Sequence, residues 1–190
     1  MTKIIGLSGS LRRASFNSML LRAASRWAPA GTTVEIASIH GIPLYDGDVE
    51  AAAGIPIAVQ DLKNRIAAAD GLLIVTPEYN NSIPGVLKNA IDWLSRPTDD
   101  IHKVFGGRPV AVIGATPGPG GTLLAQTGWL PVLRTLGTIP WFGGRMMVSN
   151  AARVFNQDGE LIDETTRSRL QAFMLGFAAF VSDRARLAPQ

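Results

Sequence analysis

The nine residues Gly9-Ser10-Leu11-Arg12-Arg13-Ala14-Ser15-Phe16-Asn17 bring two hydroxyls, an amide and two guanidinium groups into one short stretch. Ser8 adds a third hydroxyl just before it. Every one of these groups can donate a hydrogen bond. The stretch follows the apolar run Ile4-Ile5-Gly6-Leu7-Ser8, which reads as a strand, and precedes Ser18 to Ala24, which reads as a helix. Donors at a helix start suit a phosphate, because the first backbone N–H groups point outward and the helix dipole adds positive potential. Arg12 offers a planar fork matched to a phosphate dianion, whereas Arg13 reads as a solvated charge. Ser10, Ser15 and Asn17 also fit a plainer role as turn and cap residues.

Two more stretches stand out. Pro77-Glu78-Tyr79-Asn80-Asn81-Ser82-Ile83-Pro84-Gly85 is polar, and Thr116-Pro117-Gly118-Pro119-Gly120-Gly121-Thr122 is rich in small residues. Glu78 reads as a surface carboxylate or a ligand contact, Tyr79 as a packing or a ligand residue, and Asn80 with Asn81 as a tight turn. The small residues of the second stretch would let backbone N–H groups approach a flat ring closely.

Two rival phosphate motifs are excluded. The first turn, Gly6 to Leu11, is not G-x-G-x-x-G, and the only nearby acid in the second strand, Glu35, lies inside it rather than at its end. No G-x-x-x-x-G-K-[ST] occurs either. Cysteine is absent and the two histidines, His40 and His102, fall in unrelated loops, so no metal centre is expected. Eighteen basic against fifteen acidic residues leave a net charge of +3, with no basic stripe of the kind nucleic acid requires. No apolar run reaches the roughly 18 residues of a membrane span, and the first residues do not read as a signal peptide. The expectation is a soluble, cytoplasmic protein.

These loops need a frame. Short β-rich runs alternate with helical ones, which points to a parallel sheet with helices on both faces, in one domain over residues 1–190. Expected strands are Ile4 to Ser8, Thr33 to Ser38, Gly71 to Thr76, Pro109 to Ala115, and Thr138 to Phe142, with Pro140 at an edge and Arg145 to Ser149 as an extension. Ile39 to Gly54 reads as a long loop. Pro84 fits the first turn of the third helix, Pro131 should kink the fourth, and Leu170, Phe173, Met174, Phe177 and Val181 form a core-facing stripe on the last. A flavodoxin-like three-layer α/β fold, with five strands in the order 2-1-3-4-5, makes strands 1, 3 and 4 neighbours. It places ligands beyond their carboxyl ends, and the three unusual loops follow those three strands.

The paired motifs Gly9-Ser10-Leu11-Arg12…Ser15-Phe16-Asn17 and Pro77-Glu78-Tyr79-Asn80…Ser82-Ile83-Pro84-Gly85, followed by Leu87-Lys88-Asn89-Ala90-Ile91-Asp92-Trp93, resemble the NADPH-dependent FMN reductase family. The resemblance extends to about residue 150. It implies FMN bound non-covalently, with NADPH or NADH as hydride donor and a quinone, free flavin or similar small molecule as acceptor. It assigns the FMN phosphate to Ser10, Arg12, Ser15, Phe16 and Asn17. The ribityl chain and ring edge go to Pro77, Glu78, Tyr79 and Asn80, and the ring's neighbourhood to Thr116, Pro117 and Gly118. No side chain is assigned as a catalytic acid or base. A homodimer or homotetramer is implied, with Trp93, Trp129, Trp141 and Phe142 as apolar material for the contact or simply as core. The alternative is a flavodoxin-like electron carrier that never meets a nicotinamide.

Overall fold

The computed structural model describes residues 1–187. A sheet of parallel strands forms its centre. The strands are β1 (Thr2–Ser8), β2 (Thr32–Ala37), β3 (Gly71–Val75), β4 (Pro109–Ala115), β5 (Ile139–Pro140) and β6 (Met147–Val148). Their order is β2-β1-β3-β4-β5, with β6 also paired to β4. The expected order holds, but the fifth position is divided. β5 pairs with Pro109 and Val110 at the start of β4, and β6 with Gly114 and Ala115 at its end. Arg145 to Ser149 therefore does not prolong β5; part of it returns to the same edge as a separate two-residue strand.

Seven α-helices accompany the sheet among the described residues: α1 (Phe16–Arg26), α2 (Gly47–Ala53), α3 (Ile57–Ala67), α4 (Gly85–Leu94), α5 (Ile101–Val104), α6 (Leu123–Thr135) and α7 (Glu164–Leu187). Successive strand residues point to opposite faces, so the sheet feeds two cores. Ile4, Leu73 and Ile113 meet α1 and α7 on one face. Ile5, Leu72, Ile74 and Val110 meet α3, α4 and α6 on the other. All five residues of β3 are buried, which is why its sequence is apolar without alternation. The stripe Leu170, Phe173, Met174, Phe177 and Val181 on α7 is core, as expected.

Two local expectations change. Ile39 to Gly54 is not all loop, because it contains α2, capped by Asp46 accepting from the Asp48 N–H at 2.9 Å. No residue of α2 is buried, so no apolar period announces it. Pro84 stands at the N-cap of α4, one place before the first turn. α6 runs from Leu123 to Thr135 with Pro131 inside it.

The segment leading to α2 is bolted to α4. Asn89 Nδ2 and Trp93 Nε1 both donate to the Pro43 carbonyl, at 2.8 and 2.9 Å, and the Tyr45 N–H donates to Asn89 Oδ1 at 2.8 Å. The Tyr45 ring stands edge-on to Trp93. Two residues of the Leu87–Trp93 motif thus hold a neighbouring loop.

Candidate functional site

Three loops leave the carboxyl ends of the neighbouring strands β1, β3 and β4 and meet in one recess. Its wall contains Ser10, Arg12, Ser15, Phe16, Asn17, Pro77, Glu78, Tyr79, Thr116 and Pro117, together with Ala115. Ten of the twelve residues expected from the sequence are therefore brought together. Asn80 and Gly118 stand outside the wall. The recess measures about 80 Å³, well below the roughly 300–1,000 Å³ of a whole ligand pocket. It accommodates one end of a ligand.

The first loop passes so close to its neighbours that Gly9 has no room for a side chain: a Cβ there would lie 2.7 Å from Leu87 Cδ2 and 2.8 Å from Pro77 Cδ. Ser15 then caps α1, its Oγ accepting from the Asn17 and Ser18 N–H groups at 3.2 and 3.3 Å. Ser10 Oγ accepts from the Arg12 N–H at 3.3 Å. Both hydroxyls keep a proton to donate. The backbone N–H groups of Leu11, Arg13, Ala14, Ser15 and Phe16 have no acceptor among the described residues. Arg12 is exposed, and no acid among the described residues lies within 4.0 Å of its guanidinium. Free N–H groups, two hydroxyl protons and an unpaired guanidinium at a helix start are the donor set of a phosphate monoester.

Asn17 has another task. Its Nδ2 donates to the Ala115 carbonyl at 2.8 Å, and its Oδ1 accepts from the Ala115 N–H at 2.9 Å. Buried at 3 % exposure, it ties the start of α1 to the end of β4. Its side chain serves the recess by locking two loops together.

Glu78 is also engaged. Its Oε2 accepts from the Ala125 N–H at 3.0 Å, in the first turn of α6. The N-cap of that helix is Thr122, a left-handed residue whose side chain makes no cap bond; Glu78 supplies the missing acceptor and a favourable charge for the dipole. Tyr79 is exposed, with its hydroxyl 3.5 Å from Ser10 Oγ. Asn80 and Asn81 have φ of 51° and 60°, and Tyr79 and Ser82 exchange backbone hydrogen bonds of 3.1 and 3.0 Å around them. The tight-turn reading of these two asparagines is therefore the structural one.

In the third loop Thr116 Oγ1 accepts from the Gly118 N–H at 3.3 Å, and the Gly118 carbonyl accepts from Asn150 N–H at 3.0 Å. Sequence reasoning missed Ala115, although the end of β4 was a place to look. It also missed His40, whose Nε2 lies 3.2 Å from the Leu11 carbonyl and steadies the first loop from outside. Trp93 and Trp129 are fully buried and unavailable for any contact with a second chain.

The family model for NADPH-dependent FMN reductase matches residues 2–153. An NAD(P)H-dependent FMN reductase of Pseudomonas aeruginosa is 45% identical over 169 residues, covering 89% of each chain. A 2-hydroxy-1,4-benzoquinone reductase of a Burkholderia species is 42% identical over 182 residues, covering 96% of this chain and 97% of its own. Among solved structures, the flavoenzyme NAD(P)H:(acceptor) oxidoreductase of Paracoccus denitrificans superposes with a TM-score of 0.86 at 34% identity, covering 97% of this chain and 99% of that one. With the flavodoxin-like sheet and the matching loops in place, these similarities place the chain in the NADPH-dependent FMN reductase family.

Proposed function

We propose that the protein carries electrons from NAD(P)H through bound FMN to a quinone or a similar small acceptor, and that the recess of the three loops grips the FMN phosphate. The observation that carries this reading is the concentration of unpaired donors at the start of α1, beside the two other loops. Ser10, Arg12, Ser15 and the free N–H groups of residues 13–16 would hold the phosphate. Pro77, Tyr79, Thr116 and Pro117 would border the remainder of the cofactor. Asn17 and Glu78 fix the loops, through Ala115 and Ala125 respectively.

When bound, FMN supplies the two-electron chemistry. The chain's part is orientation: a grip whose donors are set before the cofactor arrives costs little reorganisation. We assign no side chain to proton transfer. Glu78 is already committed to the Ala125 N–H. The quinone assignment rests on the Burkholderia relative.

The same reading takes the protein as a homodimer or homotetramer in the cytoplasm, a reducing compartment that matches the chemistry. Leu123, Leu130 and Phe142 are exposed and border one groove, which supports a contact between copies. No helix among the described residues is long and apolar enough to cross a membrane.

Anaerobic mixing of the FMN-loaded protein with NADPH tests the reading. Rapid loss of flavin absorbance, followed by its return on adding a benzoquinone, is expected. A flavin that stays oxidised would leave only an electron carrier.

A further inference from the structure

A second cleft, of about 280 Å³, lies at the far end of α1, between that helix, the turn around Gly159 and the first turns of α7. Its wall carries Arg22, Arg26 and Arg167, the last two over the indole of Trp27, together with the carboxylate of Glu160. Phe16 and Arg26 stand at opposite ends of α1, roughly 15 Å apart at 1.5 Å per residue. The cleft is therefore separate from the recess of the three loops.

The charges here are only partly matched. Arg26 pairs with Glu160 at 2.6 Å, and Arg167 with Glu164 at 2.7 Å. Arg22 has no acidic partner among the described residues. The Arg26–Glu160 pair is more than half exposed on both sides, and such pairs open at little cost. Arg167 is held in place: its Cζ lies 5.7 Å from the centre of the Trp27 ring, and Arg26 Cζ lies 5.9 Å from it. Arg167 Nε is the buried side-chain polar atom that has no hydrogen-bond partner among the described residues. Gly159, at φ +80°, makes room for Arg22; a Cβ there would sit 2.8 Å from an Arg22 terminal nitrogen. The turn thus admits a guanidinium into the cleft.

We propose that this cleft is an anion site that takes a phosphorylated small molecule. A phosphoryl group offers several oxygens to several guanidinium forks at once, which a single carboxylate does not. The cleft's volume lies just below the roughly 300–1,000 Å³ of small-molecule sites, so the anion can carry a small organic group. The proposal is independent of the electron acceptor.

The probe is inorganic pyrophosphate, titrated calorimetrically into the FMN-saturated full chain at low ionic strength. Saturation with FMN keeps the first loop filled. One saturable site per chain is expected, weakening as salt is raised. Arg22→Gln/Arg26→Gln should weaken it at least tenfold while the visible flavin spectrum stays unchanged. Absence of saturable uptake overturns the proposal, as does equal affinity in the double variant. Uptake that survives the double variant but is lost in Arg12→Ala would place the probe in the first loop and overturn it as well.

Discussion

Removing the Asn17 side chain should unlock the recess from within. In Asn17→Ala the Ala115 N–H and carbonyl lose their partners together. Both belong to a residue 2 % exposed, and Asn17 itself is 3 % exposed, so water has poor access to replace the amide. An unsatisfied buried polar group costs about 1–3 kcal/mol, and two give about 2–6 kcal/mol, a large share of the roughly 5–15 kcal/mol that keeps a domain folded. For a chain of this size that is a fall of roughly 4–24 °C in Tm, at about 2–4 °C per kcal/mol. Urea unfolding of the FMN-free protein measures it directly, and FMN titration should show weaker binding because the first and third loops lose their tie. Asn17→Asp sharpens the test: it keeps an acceptor for the Ala115 N–H but turns a second acceptor toward the Ala115 carbonyl, so it should also destabilise. A loss under about 1 kcal/mol in Asn17→Ala, with an unchanged m-value, would refute the reasoning.

Arg12→Ala should weaken FMN by roughly 1.5–3 kcal/mol, the scale of a hydrogen bond to a charged group. Because Arg12 is exposed and unpaired, its loss should leave the FMN-free protein's stability within about 0.5 kcal/mol of wild type; fluorescence titration and urea unfolding read the two effects separately. Glu78→Ala removes the acceptor at the start of α6 and should cost about 1 kcal/mol of stability, whereas Glu78→Gln should recover part of that. Glu35 is held by Lys3 at 2.8 Å and Arg65 at 2.6 Å, and hydrogen bonds from both lower its carboxyl below the usual 4.5. A depressed acid stabilises the fold fully above its unfolded value and ceases to as pH falls through the folded one. The stability gap between wild type and Glu35→Gln should therefore be constant above about pH 5 and shrink below 4.5, as followed by urea unfolding across pH.

The features legible in the sequence were those written in consecutive residues. β3 and β4 are unbroken apolar runs and β1 contains one from Ile4 to Leu7, and the loops after them collect the residues of the recess within nine positions of each strand's end. Features that depend on distant partners were not legible. The Asn17–Ala115 tie joins residues 98 positions apart, and Asn17 reads locally as a phosphate donor or a cap. Glu78 reads in the sequence as a surface carboxylate or a ligand contact, and its bond to Ala125 exists only once α6 packs on the sheet. α2 buries nothing and so carries no apolar period. The divided fifth strand consists of two-residue pieces defined only by their pairing with β4. Trp93 and Trp129 show that aromatic content does not distinguish core from interface; only burial does.

In the proposed function the start of α1 grips the phosphate of FMN. A crystal structure of the FMN-bound protein tests it most directly. Phosphate oxygens are expected within hydrogen-bond distance of Ser10 or Ser15 Oγ, the Arg12 guanidinium and the free N–H groups of residues 13–16. A phosphate found away from these groups, with the loop after β1 facing solvent, would contradict it.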